Sequence, residues 1–487
     1  GLGLLLQISL IYSTQVPLAS KASRDVQMGA QVAQLHRLLA CGLALSPAAV
    51  LAEPSHSTKP LKLMESPRGV LEAAHFGDML GLPDWMAMSL SLVSQPMGNV
   101  TGSEQRTFSS IDMQAIDLSL SRGFSKDVAD IAEFDRWSGR ASIASYLGPP
   151  PYFSSEIGAA FPLQSLVDSP GINEGIWLQG LWLQRDSEEL TLKVGNNLSL
   201  DPLLETAAYN FYVNSTINST LNLSLPGYPI APSTSMGGIA SWRASDRLTL
   251  NYGAFQLSNQ RAGNQVGQWK GWRFNVNQSD GLLQAFSLKW ALNKKQQGPL
   301  LICMSHKNPD VVVRHRKGCQ EPMQLQNELP DPVLQLGVVS GSWRFPQLNN
   351  PKRWENRANT VFTSATVAVP FALGHGSRLW GSAAVGTEPA INEVPFFIEG
   401  GWITQGVIPH RPLDSVVLGA TRSSFSPYSR SSSGQRQSYE GMIELGYILQ
   451  LSQQLALQPG IQVIVNPEGT GDQETLVVPG IQVSFNW

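Results

Sequence analysis

The chain has 487 residues and a net charge of −3, without the basic excess that nucleic-acid binding demands. Charged residues make up 15% and hydrophobic residues 42% of it, whereas an ordinary soluble domain carries about 25% charge. Beyond residue 60 no run approaches the ~18 apolar residues of a spanning helix. This mixture argues against both a typical soluble domain and a helical membrane protein, and it suits strands that hide an apolar face at every second position.

In chain order, the first readable signal is an address. Arg37 precedes the apolar run Leu38–Leu45, and Ala48–Ala52 ends with Val50 and Ala52 as the small residues of a cleavage site before Glu53. Residues 37–52 read as a signal peptide and residues 1–36 as an uncertain upstream extension. Export follows. Residues 53–86 form a separate segment in which Leu71, Phe76, Met79, Leu80 and Trp85 recur at helical intervals. A short helix is expected there, either in the periplasm or plugging a lumen.

Residues 87–487 read with period two. Leu190, Leu192 and Val194 oppose Lys193. Trp272, Phe274 and Val276 oppose Arg273 and Asn275. Phe286, Leu288, Trp290 and Leu292 oppose Ser287 and Lys289. The clearest case is Tyr439–Leu451, with Ile443, Leu445, Tyr447 and Leu449 on one face and Glu440, Glu444 and Gln450 on the other. Leu457, Ile461 and Val463 then oppose Gln458 and Gln462, and Val477, Ile481, Val483, Phe485 and Trp487 oppose Gln482. Strands of this length cross a bilayer when tilted, and the backbone is satisfied in hydrocarbon only if the sheet closes. The 13 Trp, 17 Phe and 10 Tyr suit girdles at two interfaces. The expected fold is all-β, a closed antiparallel transmembrane β-barrel with a short N-terminal helical segment. A soluble sandwich or β-helix with one wet face is the alternative. Segments 303–332, 349–359 and 423–438 are expected to be long external loops.

Candidate lumen residues on the polar faces are Lys193, Arg273, Lys289, Glu440, Glu444, Gln450, Gln458, Gln462 and Gln482; for each the plain alternative is ordinary wall polarity. Cys303 and Cys319 flank a basic segment and form a candidate disulfide in an oxidising compartment, or else two unpaired thiols. Five Asn-X-Ser/Thr matches, at Asn99, Asn197, Asn214, Asn218 and Asn222, read as polar strand faces. No metal-binding spacing, nucleophile elbow or phosphate loop is found. Glu440 and Glu444 stand roughly 13 Å apart along a strand, beyond the ~5–9.5 Å of a glycosidase pair. No cofactor and no catalysis are expected.

The stretch Pro395-Phe396-Phe397, Gly400-Gly401-Trp402 and Gly406-Val407-Ile408-Pro409-His410-Arg411-Pro412-Leu413-Asp414, continuing to Val417-Leu418-Gly419, resembles a signature of the carbohydrate-selective porins, the OprB-like family. Tyr439-Glu440, Leu457-Gln458-Pro459, Ile461-Gln462 and Asn466-Pro467-Glu468-Gly469 resemble its closing block. Gln95-Pro96-Met97-Gly98-Asn99 and Gly158–Gln164 are similar to the cyanobacterial-type branch. The resemblance covers roughly residues 70–487. It implies a 16-stranded barrel in the outer membrane of a Gram-negative bacterium, a cyanobacterium, passing sugars and other small hydrophilic solutes. It also draws Arg411 and Asp414 into the candidate pore lining, with a turn salt bridge as the other reading. Expected partners are outer-membrane lipid, sugar-like solutes, a further copy of the chain, and the barrel-assembly machinery at the C-terminal strand ending in Trp487. A general ion and small-solute channel, a plugged receptor or anchor, and an outer-membrane enzyme remain competing readings.

Overall fold

The computed structural model describes residues 80–486 apart from 83–85, 103–105, 122–135, 148–152, 167–174, 188, 199–200, 205, 219–227, 229–234, 258–270, 273, 277, 293–301, 305–311, 315–328, 370–373, 375 and 453. The signal peptide, most of the proposed helix, Arg273, Cys319 and Trp487 therefore lie outside the described residues.

Sixteen strands form one closed antiparallel barrel. They are β1 (Met86–Gly98), β2 (Phe108–Ser121), β3 (Arg136–Leu147), β4 (Gly175–Asp186), β5 (Leu190–Leu198), β6 (Ser235–Arg243), β7 (Leu248–Leu257) and β8 (Gly281–Ala291). A separate hairpin, β9 (Ile302–Met304) and β10 (Val312–Arg314), follows. The wall then resumes with β11 (Val333–Pro346), β12 (Trp354–Ala368), β13 (Gly376–Gly386), β14 (Phe396–Gln405), β15 (Ser415–Ser424), β16 (Tyr439–Gln450), β17 (Leu455–Val465) and β18 (Leu476–Asn486). β1 pairs with β18 from Ser91↔Asn486 to Met97↔Gly480, so no edge is left.

Side-chain alternation places the apolar set outside. Leu192, Phe286, Leu336, Leu379, Leu418, Leu445 and Ile461 are all exposed on the outer wall, a continuous apolar belt of a size that soluble monomers do not show. Trp137, Trp242 and Trp290 stand near the rim that holds the chain ends. Phe108, Trp354 and Phe396 stand at strand starts on the other rim. Two aromatic girdles thus bracket the belt, as lipid headgroups require.

The parity of the strands sorts the connections. On the terminal rim, β4–β5, β6–β7 and β16–β17 turn within a few residues; on the other rim, 148–174, 199–234 and 258–280 are long. Two expectations change here. The 292–332 connection, which contains Cys303, belongs to the terminal rim and not with the other long loops, because strand count decides the rim and loop length does not. The described residues of the alternating stretch Trp272–Val276 are not strand and belong to the β7–β8 connection, since among the described residues no neighbouring strand pairs with them. In addition, half of the 349–359 segment is strand, β12 beginning at Trp354.

Candidate functional site

The inward faces of β14–β18 follow from the same alternation. Glu440, Met442, Glu444, Ile448 and Gln450 point in from β16, and Gln458, Gln462 and Ile464 from β17. They do not meet open water. Two segments of the long loops turn into the barrel and cover them: residues 153–166, which start with the short helix α1 (Phe153–Glu156), and residues 201–218, which contain α2 (Asp201–Leu204) and a 3-10 turn at Tyr209–Phe211. Phe153, Ile157, Leu163, Tyr209, Phe211, Tyr212 and Ile217 from these segments form one apolar core with Met97, Trp380, Ile403, Val417, Met442, Ile464 and Val478 of the wall. Leu203, Leu204 and Tyr228 pack likewise on Phe255, Leu283, Val339 and Phe362.

Polar anchors fix this insert. Glu444, 2% exposed, accepts the backbone N–H of Val213 at 2.9 Å and of Asn214 at 2.7 Å. Glu440, 3% exposed, accepts Ala160 N–H at 2.8 Å and Glu468 N–H at 2.7 Å. Gln458 donates to the Phe211 carbonyl (2.9 Å), and Gln462 donates to the Leu163 carbonyl (3.1 Å) while accepting from Asn214 (2.8 Å). Gln482 accepts from Gln95, which also donates to Ser165. Carboxylates bound by two N–H groups satisfy turns that would otherwise be buried with bare donors. Tyr212 donates to the Leu418 carbonyl and accepts from the Trp380 indole at 2.9 Å, and burial pushes its phenol pKa up, which keeps it a neutral donor. Its ring lies where a Cβ on Gly419 would stand, and its hydroxyl where one on Gly401 would.

The family-like motifs thus meet in one place. Gln95, Gly401, Gly419, Glu440, Gln458, Gln462 and Glu468 line the socket, and Ala160–Gln164 belong to the insert it holds. Asn214 and Asn218 also belong to the insert, not to strand faces as expected, and Asn214 is fully buried.

The wall of β2–β6 is different. Asp117 and Arg140 form an inward ion pair at 2.7 Å, with the arginine side chain 43% exposed. Lys193 lies 4.3 Å over the Trp182 ring. Asp186 accepts from Gln184 (2.8 Å) and Thr191 (2.7 Å). Lys289 continues this face on β8, opposite Thr249. Sequence reading singled out Lys193 and Lys289 but missed Asp117, Arg140, Trp182, Gln184 and Asp186; the alternation of Ser138, Arg140 and Ser142 with Gly139, Ala141 and Ile143 was the available signal.

Arg411 and Asp414 sit in the β14–β15 turn at the terminal rim. The guanidinium makes a two-pronged ion pair of 2.7 and 2.9 Å and also donates to the Gln450 carbonyl at 3.0 Å, while Asp414 accepts Gln450 N–H and the Tyr447 hydroxyl. The aspartate holds the Arg411 pKa above its ordinary value. Of the two readings of this pair, the geometry is that of a turn clamp. Gln450 completes it and is likewise buried.

A closed sheet with an apolar belt, two aromatic girdles and a polar, half-filled interior defines a 16-stranded outer-membrane porin. The model of the carbohydrate-selective porin, OprB family, matches residues 154–487, and the chain belongs to that family. It is thus an outer-membrane carbohydrate porin, and both family and fold are those of channels rather than enzymes. Among solved structures, the high-pH structure of Pseudomonas putida OprB is similar at 15% identity and a TM-score of 0.66, over 84% of this chain and 96% of that one. The low-pH structure of the same protein aligns at 14% identity and a TM-score of 0.42, over 84% and 94%. Salmonella typhi OmpF in complex with daunomycin aligns at 8% identity and a TM-score of 0.46, over 82% and 97%. No curated protein matches the chain by sequence.

Proposed function

We propose that solutes cross along the β2–β6 wall, between it and the insert. The observation that carries this is the contrast at Arg140: an inward, 43% exposed guanidinium, while the inward carboxylates of β16 are enclosed. Sugar hydroxyls both donate and accept, so Asp117, Arg140, Gln184, Asp186 and Lys193 offer them exchangeable partners, and Lys289 adds a further cation on β8 at the same end of the barrel. Binding at each step stays weak enough for release. Trp182 adds an apolar face for a sugar ring, shared with the Lys193 ammonium.

Planar-bilayer recordings of the full chain test this. Glucose or maltose should partly block the current, and Arg140→Ala with Lys193→Ala should weaken the block. A sugar block of unchanged strength in that variant would defeat the route. The motif branch supports a cyanobacterial source. The closing strand β18, with outward Phe485, is the segment we assign to recognition by the barrel-assembly machinery; replacing Phe485 and Trp487 should slow insertion into membranes containing that machinery.

A further inference from the structure

The β11–β12 hairpin carries a graded outer face at the loop rim. Val339, Phe345, Ala358 and Thr360 are buried on the inner side, so Ser340, Ser342 and Arg344 of β11 and Arg357 and Asn359 of β12 point outward. Climbing from the belt, exposed Val338 faces exposed Val361, then Ser340 faces Asn359, then Ser342 faces Arg357. Arg344 stands two residues further up, and the turn beyond adds exposed Lys352 and Arg353. Each two-residue step is roughly 7 Å along the strand, so the cations stand at headgroup height directly above lipid-facing side chains. The other outward ions differ. Arg185 lies 5.7 Å from the Trp137 ring at the terminal rim, and Arg422 is a single cation 4.4 Å from the Tyr439 ring. Asp112 on β2 is a lone acid. Arg430 in the 425–438 loop donates to the Pro427 and Ser429 carbonyls, and the 466–475 turn is acidic, with Glu468, Asp472 and Glu474. On residues 340–359 four cations meet one acid, Glu355, which accepts from Gln347 at 2.7 Å. Nearby Glu388 is held by the backbone N–H and the amide of Asn359, both at 2.8 Å. Among the described residues no ion pair engages Arg344, Lys352, Arg353 or Arg357.

We propose that this face holds the phosphate of a membrane lipid in the leaflet at the loop rim. A guanidinium grips a phosphate through a planar, two-pronged fork, and long side chains on neighbouring strands reach one another at this spacing. Ser342 shares their face and adds a hydroxyl donor. Below them Val338 faces Phe286 across β8–β11 and Val361 across β11–β12, all three exposed. These offer an apolar wall to the acyl chains of the same molecule, for which a free anion has no use. The site rests on the membrane placement of the barrel and not on the route that solutes take through it.

The test uses the folded full chain in detergent micelles, titrated with bis-phosphorylated lipid A and with its dephosphorylated form, and bound lipid is counted by native mass spectrometry. Wild type should bind the phosphorylated lipid roughly tenfold more tightly or better, the change that one charge-assisted hydrogen bond commands. Arg344→Gln with Arg357→Gln should remove most of that preference, whereas Arg422→Gln on β15 should leave it nearly intact. Inorganic phosphate at the same concentration should not displace the lipid. The proposal fails if wild type binds the two lipids alike, or if the double variant keeps the preference. It also fails if Arg422→Gln loses as much, or if inorganic phosphate competes as an equal. Heat-dependent gel mobility reports folding, and Arg357→Gln alone serves if the double variant does not fold. Sugar block of the current, recorded on the same variants, reads the solute route separately and should not change.

Discussion

The two halves of the inner wall follow one rule of alternation and reach opposite ends. On β14–β18 the polar residues that face inward are consumed by the insert: Glu440 and Glu444 each hold two backbone N–H groups, and Gln458 and Gln462 hold carbonyls. On β2–β6 Asp117 and Arg140 pair across neighbouring strands with the arginine side chain 43% exposed, Asp186 accepts from Gln184 and Thr191, and Lys193 lies over the Trp182 ring. A polar residue on a lumen face is thus not yet a pore residue. Whether it meets solute or structure depends on what folds over it.

The comparison can be broken most severely at the socket. Glu440→Ala with Glu444→Ala leaves four N–H groups without their acceptors, each bond contributing on the order of 1.5–3 kcal/mol. The insert should come loose and single-channel conductance should rise several-fold; an unchanged conductance would mean that the insert does not narrow the passage. Gly419→Val forces a side chain into the Tyr212 ring and should raise conductance by a smaller step, with a broader distribution of current levels. On the other wall, Asp117→Asn with Lys193→Gln should leave conductance nearly the same while shifting sugar block and ion selectivity, read from reversal potentials in a salt gradient. Smallest in transport is Arg411→Ala at the rim. It strands the 3% exposed Asp414, so thermal unfolding in detergent should come at lower temperature, by about 1–3 kcal/mol of stability, with currents like wild type.

Much of the barrel was legible, and the reason is mechanical. In β16–β18 the outward positions are mostly apolar while Glu440, Glu444, Gln458, Gln462 and Gln482 recur on the inward side among Met442, Ile448, Ile464 and Val478, so period two reveals both the strand and its faces. The face of Glu444 was readable; its task was not, because its partners lie 231 and 230 residues away. The same holds for Gln462, whose carbonyl partner is 299 residues distant. Trp272–Val276 shows the converse failure. Alternation describes one chain, whereas a strand needs two neighbours, and the β7–β8 connection offers it none. Arg140 escaped notice because Gly139 and Ala141 beside it give too little contrast with polar Ser138 and Ser142.

The socket also imposes an order on biogenesis. The two inner segments leave the ribosome well before β16 and β17, which carry their acceptors, exist. Until those last strands are laid in place, the N–H groups of Val213 and Asn214 lack the Glu444 carboxylate that holds them to the wall, so the nascent cylinder is at its widest while it is still open. Narrowing and sealing then arrive together, as a single event at the end of assembly, and a chain stopped short of Leu455 would forfeit both.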